Sequence, residues 1–139
     1  MVTEAFLDAS YAIALASPAD QNHTRAVTLA QRIQAEHMRL ITTQAVVLEI
    51  GNALSKLRYR AAAVKLLYAL EHDPSIEVVP LSEVLFAKGF ELYQQRPDKE
   101  WGLTDCVSFV LMQERGITEA LTADIHFRQA GFRALLSED

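Results

Sequence analysis

Apolar positions along the chain come in short bursts that switch between two spacings. Phe6 and Leu7, introduced by Glu4-Ala5 and closed by Asp8, predict a short buried strand that ends in a carboxylate. Ala9 to Leu15 follow as a helical turn or more. Pro18 and Asp20 then interrupt the pattern, with Asp20 placed to cap a helix whose Ala26, Leu29, Ala30 and Ile33 share one face. Met38 to Ile41 predict a second strand. Thr42 and Thr43 cap a third helix, in which Val46, Val47, Ile50, Leu54 and Leu57 recur at the spacing of one buried stripe.

The second half repeats the alternation. A helix from Arg60 to Glu71 packs Val64, Leu67 and Leu70, Pro74 ends the connection, and Ile76 to Val79 form a strand. Another helix runs from Ser82 through Phe86, Phe90 and Tyr93, and the sequence then turns polar between Gln94 and Gly102. Thr104 is placed to cap a helix that carries Asp105 in its first turn. Glu119 to Thr122 predict a strand, Ile125 to Ala130 a short helix, and Phe132 to Leu136 a last strand. Strands alternating with helices predict an α/β fold, a central parallel sheet sandwiched between helices in three layers. With 139 residues and no linker or repeat, one domain over 1–139 is expected.

Charge and cysteine content narrow the chemistry. A net charge of −5 argues against gripping nucleic acid by a broad basic face, and the one dense basic run is Lys56, Arg58 and Arg60. The single cysteine, Cys106, excludes an internal disulfide and a paired-cysteine metal site, which fits a reducing compartment. Its neighbours Val107, Phe109 and Val110 make it a packing residue. No basic leader precedes a long apolar run, so a soluble, cytoplasmic protein without membrane association is expected.

Four acids stand in unexpected company. Asp8 closes Ala5-Phe6-Leu7, Glu49 interrupts Val46-Val47-Leu48-Ile50, Asp105 opens an otherwise apolar helix, and Asp124 follows Ala120-Leu121-Thr122-Ala123. Each alone reads as a helix-end charge or a surface residue. Strand ends and helix starts of an open α/β sheet converge on one edge, however, so the four can meet. Two carboxylates about 5 Å apart repel by roughly 3 kcal/mol at an effective dielectric near 20. Such a set must take up protons or a hard divalent cation, and Mg²⁺ or Mn²⁺ suits oxygen donors and phosphate chemistry. His23 lies in a helix with no second histidine at ligand spacing.

These motifs, Phe6-Leu7-Asp8-Ala9-Ser10, Glu49, Leu103-Thr104-Asp105-Cys106 and Leu121-Thr122-Ala123-Asp124 followed by His126-Phe127, resemble the PIN-domain ribonucleases in order and spacing across nearly the whole chain. The closest resemblance is to the VapC-type toxins of toxin–antitoxin pairs. That resemblance implies a metal-dependent endoribonuclease that hydrolyses RNA phosphodiester bonds. Asp8, Glu49, Asp105 and Asp124 would form the catalytic acidic quartet, Asp8 and Asp105 binding Mg²⁺ or Mn²⁺ most directly. Ser10 and Thr104 fall where the family often carries a hydroxyl near the metal, whereas Asp98 lies in a polar loop and is left out. The resemblance also implies a homodimer and an antitoxin protein that covers the site. A haloacid-dehalogenase phosphatase needs a second aspartate where Ser10 stands, and a receiver domain gives no reason for Glu49 and Asp105 on helices. The remaining alternative is a non-catalytic PIN-like protein-interaction module.

Overall fold

The computed structural model describes residues 3–138. Its centre is a five-stranded sheet, all parallel, of β1 (Glu4–Leu7), β2 (Arg39–Thr43), β3 (Ile76–Val79), β4 (Glu119–Leu121) and β5 (Arg133–Ala134), in the order β3-β2-β1-β4-β5. Among the described residues seven helices flank it: α1 (Ala9–Ala16), α2 (His23–Ala35), α3 (Gln44–Ala53), α4 (Leu57–His72), α5 (Glu83–Gln95), α6 (Leu103–Arg115) and α7 (Ile125–Gln129). Phe6, Ile41, Ala120 and Leu121 are fully buried, as strands covered on both faces require. The chain winds outward in one direction from β1 through β2 and in the other through β4, so the sheet reverses order between β1 and β4. At such a point the connections diverge and leave a crevice at the carboxyl ends of the strands. No helix among the described residues is long and apolar enough to cross a membrane.

Several boundaries differ from the sequence pattern, each for a local reason. Asp8 follows β1 as the N-cap position of α1. Helix α2 starts at His23, because Asp20 is used one step earlier, accepting the Asn22 N–H at 2.8 Å. His23 Nδ1 lies 2.8 Å from the Ala14 carbonyl, tying α2 to the end of α1. Helix α3 stops at Ala53: the Ser55 hydroxyl donates to the Gly51 carbonyl, and the Arg60 guanidinium donates to the Ser55 carbonyl. Leu57 therefore opens α4 and is 92% exposed, and the face of α4 turned inward carries Ala63 and Leu70 while Val64 faces out. The last strand is only two residues long. Its backbone pairing nevertheless continues, since the Leu135 and Leu136 N–H groups donate to Ala120 and Thr122 carbonyls.

Helix α6, which carries Asp105, is held from two sides. Gly89 of α5 sits against it so closely that a Cβ there would lie 2.5 Å from Val107 Cγ2 and 3.1 Å from the Val107 Cα, and only glycine permits that approach. On the other side an aromatic chain runs inward. Trp101, whose Nε1–H donates to Gln129 Oε1 at 3.0 Å, meets Phe109 edge-on at 5.0 Å, and Phe109 meets Phe127 edge-on at 4.9 Å. Phe127 lies 6.2 Å from Phe6 of β1. Edge-to-face rings at these separations pack favourably. The chain fixes α6 and α7 to the sheet directly beneath the predicted acids.

Candidate active site

Asp8 anchors the crevice between β1 and β4. The carboxylate is 5% exposed, and its Oδ2 accepts bonds from the hydroxyls of Thr122 at 2.7 Å and Ser10 at 3.1 Å. Those hydroxyls are themselves held, Thr122 Oγ1 accepting the Asp124 N–H and Ser10 Oγ the Ala123 N–H. One hydrogen-bonded knot thus joins the end of β1 to the end of β4. Burial nonetheless raises the Asp8 carboxyl above its ordinary 3.8, outweighing the hydroxyl bonds, and the charge of Asp105 adds to the rise.

Asp105 enters from α6. Gly102, not Thr104, is the N-cap, because Asp105 at the third helical position reaches back and accepts the Gly102 N–H at 3.1 Å. The same oxygen lies 3.1 Å from His126 Nδ1. Burial raises the Asp105 carboxyl, the hydrogen bonds from Gly102 and His126 oppose that, and Asp124 pushes it further up. Thr104, freed from capping, turns its hydroxyl to Glu49 and lowers that carboxyl. Glu49 is exposed as a residue of α3, yet its carboxyl is raised above 4.5 by desolvation and then by Asp8, Asp105 and Asp124. The residue as a whole meets solvent while its charged tip faces the other three acids. Asp124 caps α7, its Oδ1 accepting the His126 N–H at 2.9 Å.

The four predicted acids therefore come together, from the ends of β1 and β4 and from α3 and α6. Asp98 does not join them; it makes a two-bond pair with Arg96 in the loop before Trp101. In the basic run, Arg60 holds the α3–α4 turn and Arg58 stacks over Tyr59. Cys106 is buried and its thiol is raised by desolvation and by Asp105, so it is a packing residue. Two residues quoted in the resemblance were assigned no role by it. Thr122 reads as the tail of an apolar strand, and His126 has no histidine partner at ligand spacing; only the closure of α7 onto α6 brings it to Asp105. Among the described residues, one ligand atom each from Asp105, Asp124 and His126 fall within 4.8 Å of one another. A cleft of about 300 Å³ opens on the Glu49 side, lined by Leu48, Glu49, Asn52, Phe86 and Thr104 among others.

A family model described as the PIN domain matches residues 5–133 of the chain. The structure is similar to that of VapC20 from Mycobacterium tuberculosis, described as a toxin that cleaves the sarcin–ricin loop, with a TM-score of 0.80 and 26% identity over 91% of this chain and 95% of that one. FitAcB from Neisseria gonorrhoeae shares the fold at a TM-score of 0.63 and 18% identity, over 93% of this chain and 94% of that one. No curated protein matches the sequence significantly.

The electrostatics make one expectation concrete. Asp8, Glu49 and Asp105 hold protons more tightly folded than unfolded, so the stability they contribute is full below the ordinary values of 3.8 and 4.5 and is lost as pH rises through the raised ones. Glu77, Asp98 and Glu138, lowered by arginine partners, act in the opposite sense only below those ordinary values. In chelator, the melting temperature of the wild type is expected to rise as pH falls from neutral toward the ordinary carboxylate values. Glu49→Gln should melt up to a few degrees higher at neutral pH, because the screened repulsion of a half-exposed carboxylate is about 1 kcal/mol or less, and should show a shallower rise. A variant that melts below wild type at neutral pH would contradict the crowding of these acids.

Proposed function

The chain belongs to the PIN-domain family, and from that premise we propose that it is a metal-dependent endoribonuclease, a single nuclease domain that hydrolyses RNA phosphodiester bonds as the toxin of a toxin–antitoxin pair. The observation that carries this reading is the convergence of Asp8, Glu49, Asp105 and Asp124 at the point where the sheet reverses order. The similarity to VapC20 supports RNA as the substrate class. Mg²⁺ or Mn²⁺ fits the donor set: the donors are mainly carboxylate oxygens, and three of the carboxyls are raised, first by burial and then by the charges of neighbouring acids. An interaction module without catalysis would gain nothing from that repulsion.

Asp8 and Asp105 would hold the cation most directly, with Glu49 and Asp124 completing its surroundings. A cation there supplies the charge that polarises a phosphoryl oxygen and makes a bound water acidic. Asp8 is kept from rotating by Thr122 and Ser10, and Asp105 by the Gly102 N–H and His126. Glu49, steadied by Thr104 and open to the cleft, orients the attacking water. Cytoplasmic placement is supported by the lone buried thiol. A homodimer is supported by an exposed apolar stripe on α5, where Phe86, Phe90 and Tyr93 are 43%, 41% and 48% exposed and in ring contact. An antitoxin protein would cover the cleft.

Cleavage of structured RNA is expected with Mg²⁺ or Mn²⁺ and not in chelator. Asp8→Asn and Asp105→Asn should each lower the rate by roughly a hundredfold or more, since the metal's charge stabilisation is worth several kcal/mol and each 1.4 kcal/mol is tenfold. Expression in cells should arrest growth, and a partner that binds the cleft should relieve the arrest. Undiminished cleavage in chelator, or by both variants, would rule the mechanism out. Light scattering should give a dimer for the wild type and a monomer for Phe90→Glu; a wild-type monomer at micromolar concentration would remove the dimer.

A further inference from the structure

His126 brings the nitrogen donor of the carboxylate cluster among the described residues. Its Nδ1 lies 3.1 Å from Asp105 Oδ2 and 3.4 Å from Asp124 Oδ1. The ring is held in place from behind. Asp124 Oδ1 accepts the His126 backbone N–H, and the next residue, Phe127, is fully buried between Phe109 and Phe6. Asp8, by contrast, lies outside this group and commits Oδ2 to two hydroxyls.

We propose that His126 is a direct ligand of the metal centre, giving a mixed carboxylate and imidazole donor set that favours Mn²⁺ over Mg²⁺. The inference rests on the nuclease reading for the presence of a metal, but it concerns the donor and not the reaction. Two donors on adjacent corners of an octahedral ion with bonds of about 2.1 Å are about 3.0 Å apart. The Nδ1 separations from Asp105 and Asp124 are close to that edge, so all three can share one ion with little movement of α6 or α7. The chemistry then sets the preference. Mg²⁺ is a hard ion that favours oxygen and keeps its waters, whereas imidazole suits first-row transition ions. A nitrogen donor in this place therefore adds more to Mn²⁺ affinity than to Mg²⁺ affinity.

The same geometry would serve a positioning role in which the imidazole N–H only orients Asp105, and pulsed electron paramagnetic resonance separates the two. Wild-type protein and His126→Gln are loaded with Mn²⁺ at neutral pH, and the echo is examined for nitrogen coupling from a bound imidazole. Affinities for Mn²⁺ and Mg²⁺ are measured by titration. Wild type is expected to show the coupling and the variant to lose it. Its preference for Mn²⁺ should fall by about tenfold or more, since even an outer-shell partner typically contributes 10–100-fold to metal affinity. Bound Mn²⁺ without nitrogen coupling in the wild type would overturn the inference and leave the nuclease reading intact, and coupling that survives in His126→Gln would overturn it too. A wild type that binds no Mn²⁺ would overturn both. Nitrogen-coupled Mn²⁺ in a protein that cleaves no RNA would uphold the ligand and sink the nuclease. The wild-type spectrum carries the result even if the variant folds poorly.

Discussion

The carboxylate of Asp8 is taken almost wholly out of water at the end of the central strand, a placement that is costly unless hydrogen bonds and a counter-charge compensate it. Thr122 and Ser10 supply the bonds, and in doing so they lace the end of β1 to the segment after β4. That segment carries Asp124 and His126, and His126 reaches across to Asp105. The bonds that hold one buried charge thus also help to place Asp124 and His126. The hydrogen bonds do not neutralise it, and the carboxyls of Asp8, Asp105 and Glu49 are raised by burial first and by one another's negative charge in addition.

Holding like charges together requires a rigid frame, and the frame is apolar. The Trp101, Phe109, Phe127 and Phe6 rings run beneath the site, and the close approach of Gly89 to Val107 presses α5 onto α6. Because α6 and α7 rest on the same rings, their first turns cannot separate to relieve repulsion without opening the core. Fold stability of this kind is what allows a site to keep an arrangement that is unfavourable in itself.

Much of this was legible in the order of residues. Strand β1 followed at once by Asp8, the apolar run before Asp124 and the isolated acid opening α6 are local patterns, and each survives in the structure. The alternation of strands and helices led to the parallel sheet for the same reason, since burial on both faces leaves continuous apolar runs. What local pattern could not reveal depended on side chains meeting across elements. Thr104 resembles an N-cap until Asp105 is seen to take the Gly102 N–H. The apolar stripe of α3 runs on to Leu57 in sequence, but the Ser55 hydroxyl and Arg60 guanidinium satisfy carbonyls that a continuing helix would have used. His126 and Thr122 gain their place only through long-range closure of α7 and β4 onto the site.

The account turns on whether these carboxylates share one cation, and anomalous diffraction from crystals soaked in Mn²⁺ measures that directly. Data at the manganese edge should give a peak in the crevice between the ends of β1 and β4, within bonding distance of the Asp8 and Asp105 carboxylates. A fully formed crevice with no peak at saturating Mn²⁺, or a peak only at surface acids such as Glu36 or Glu114, would contradict it.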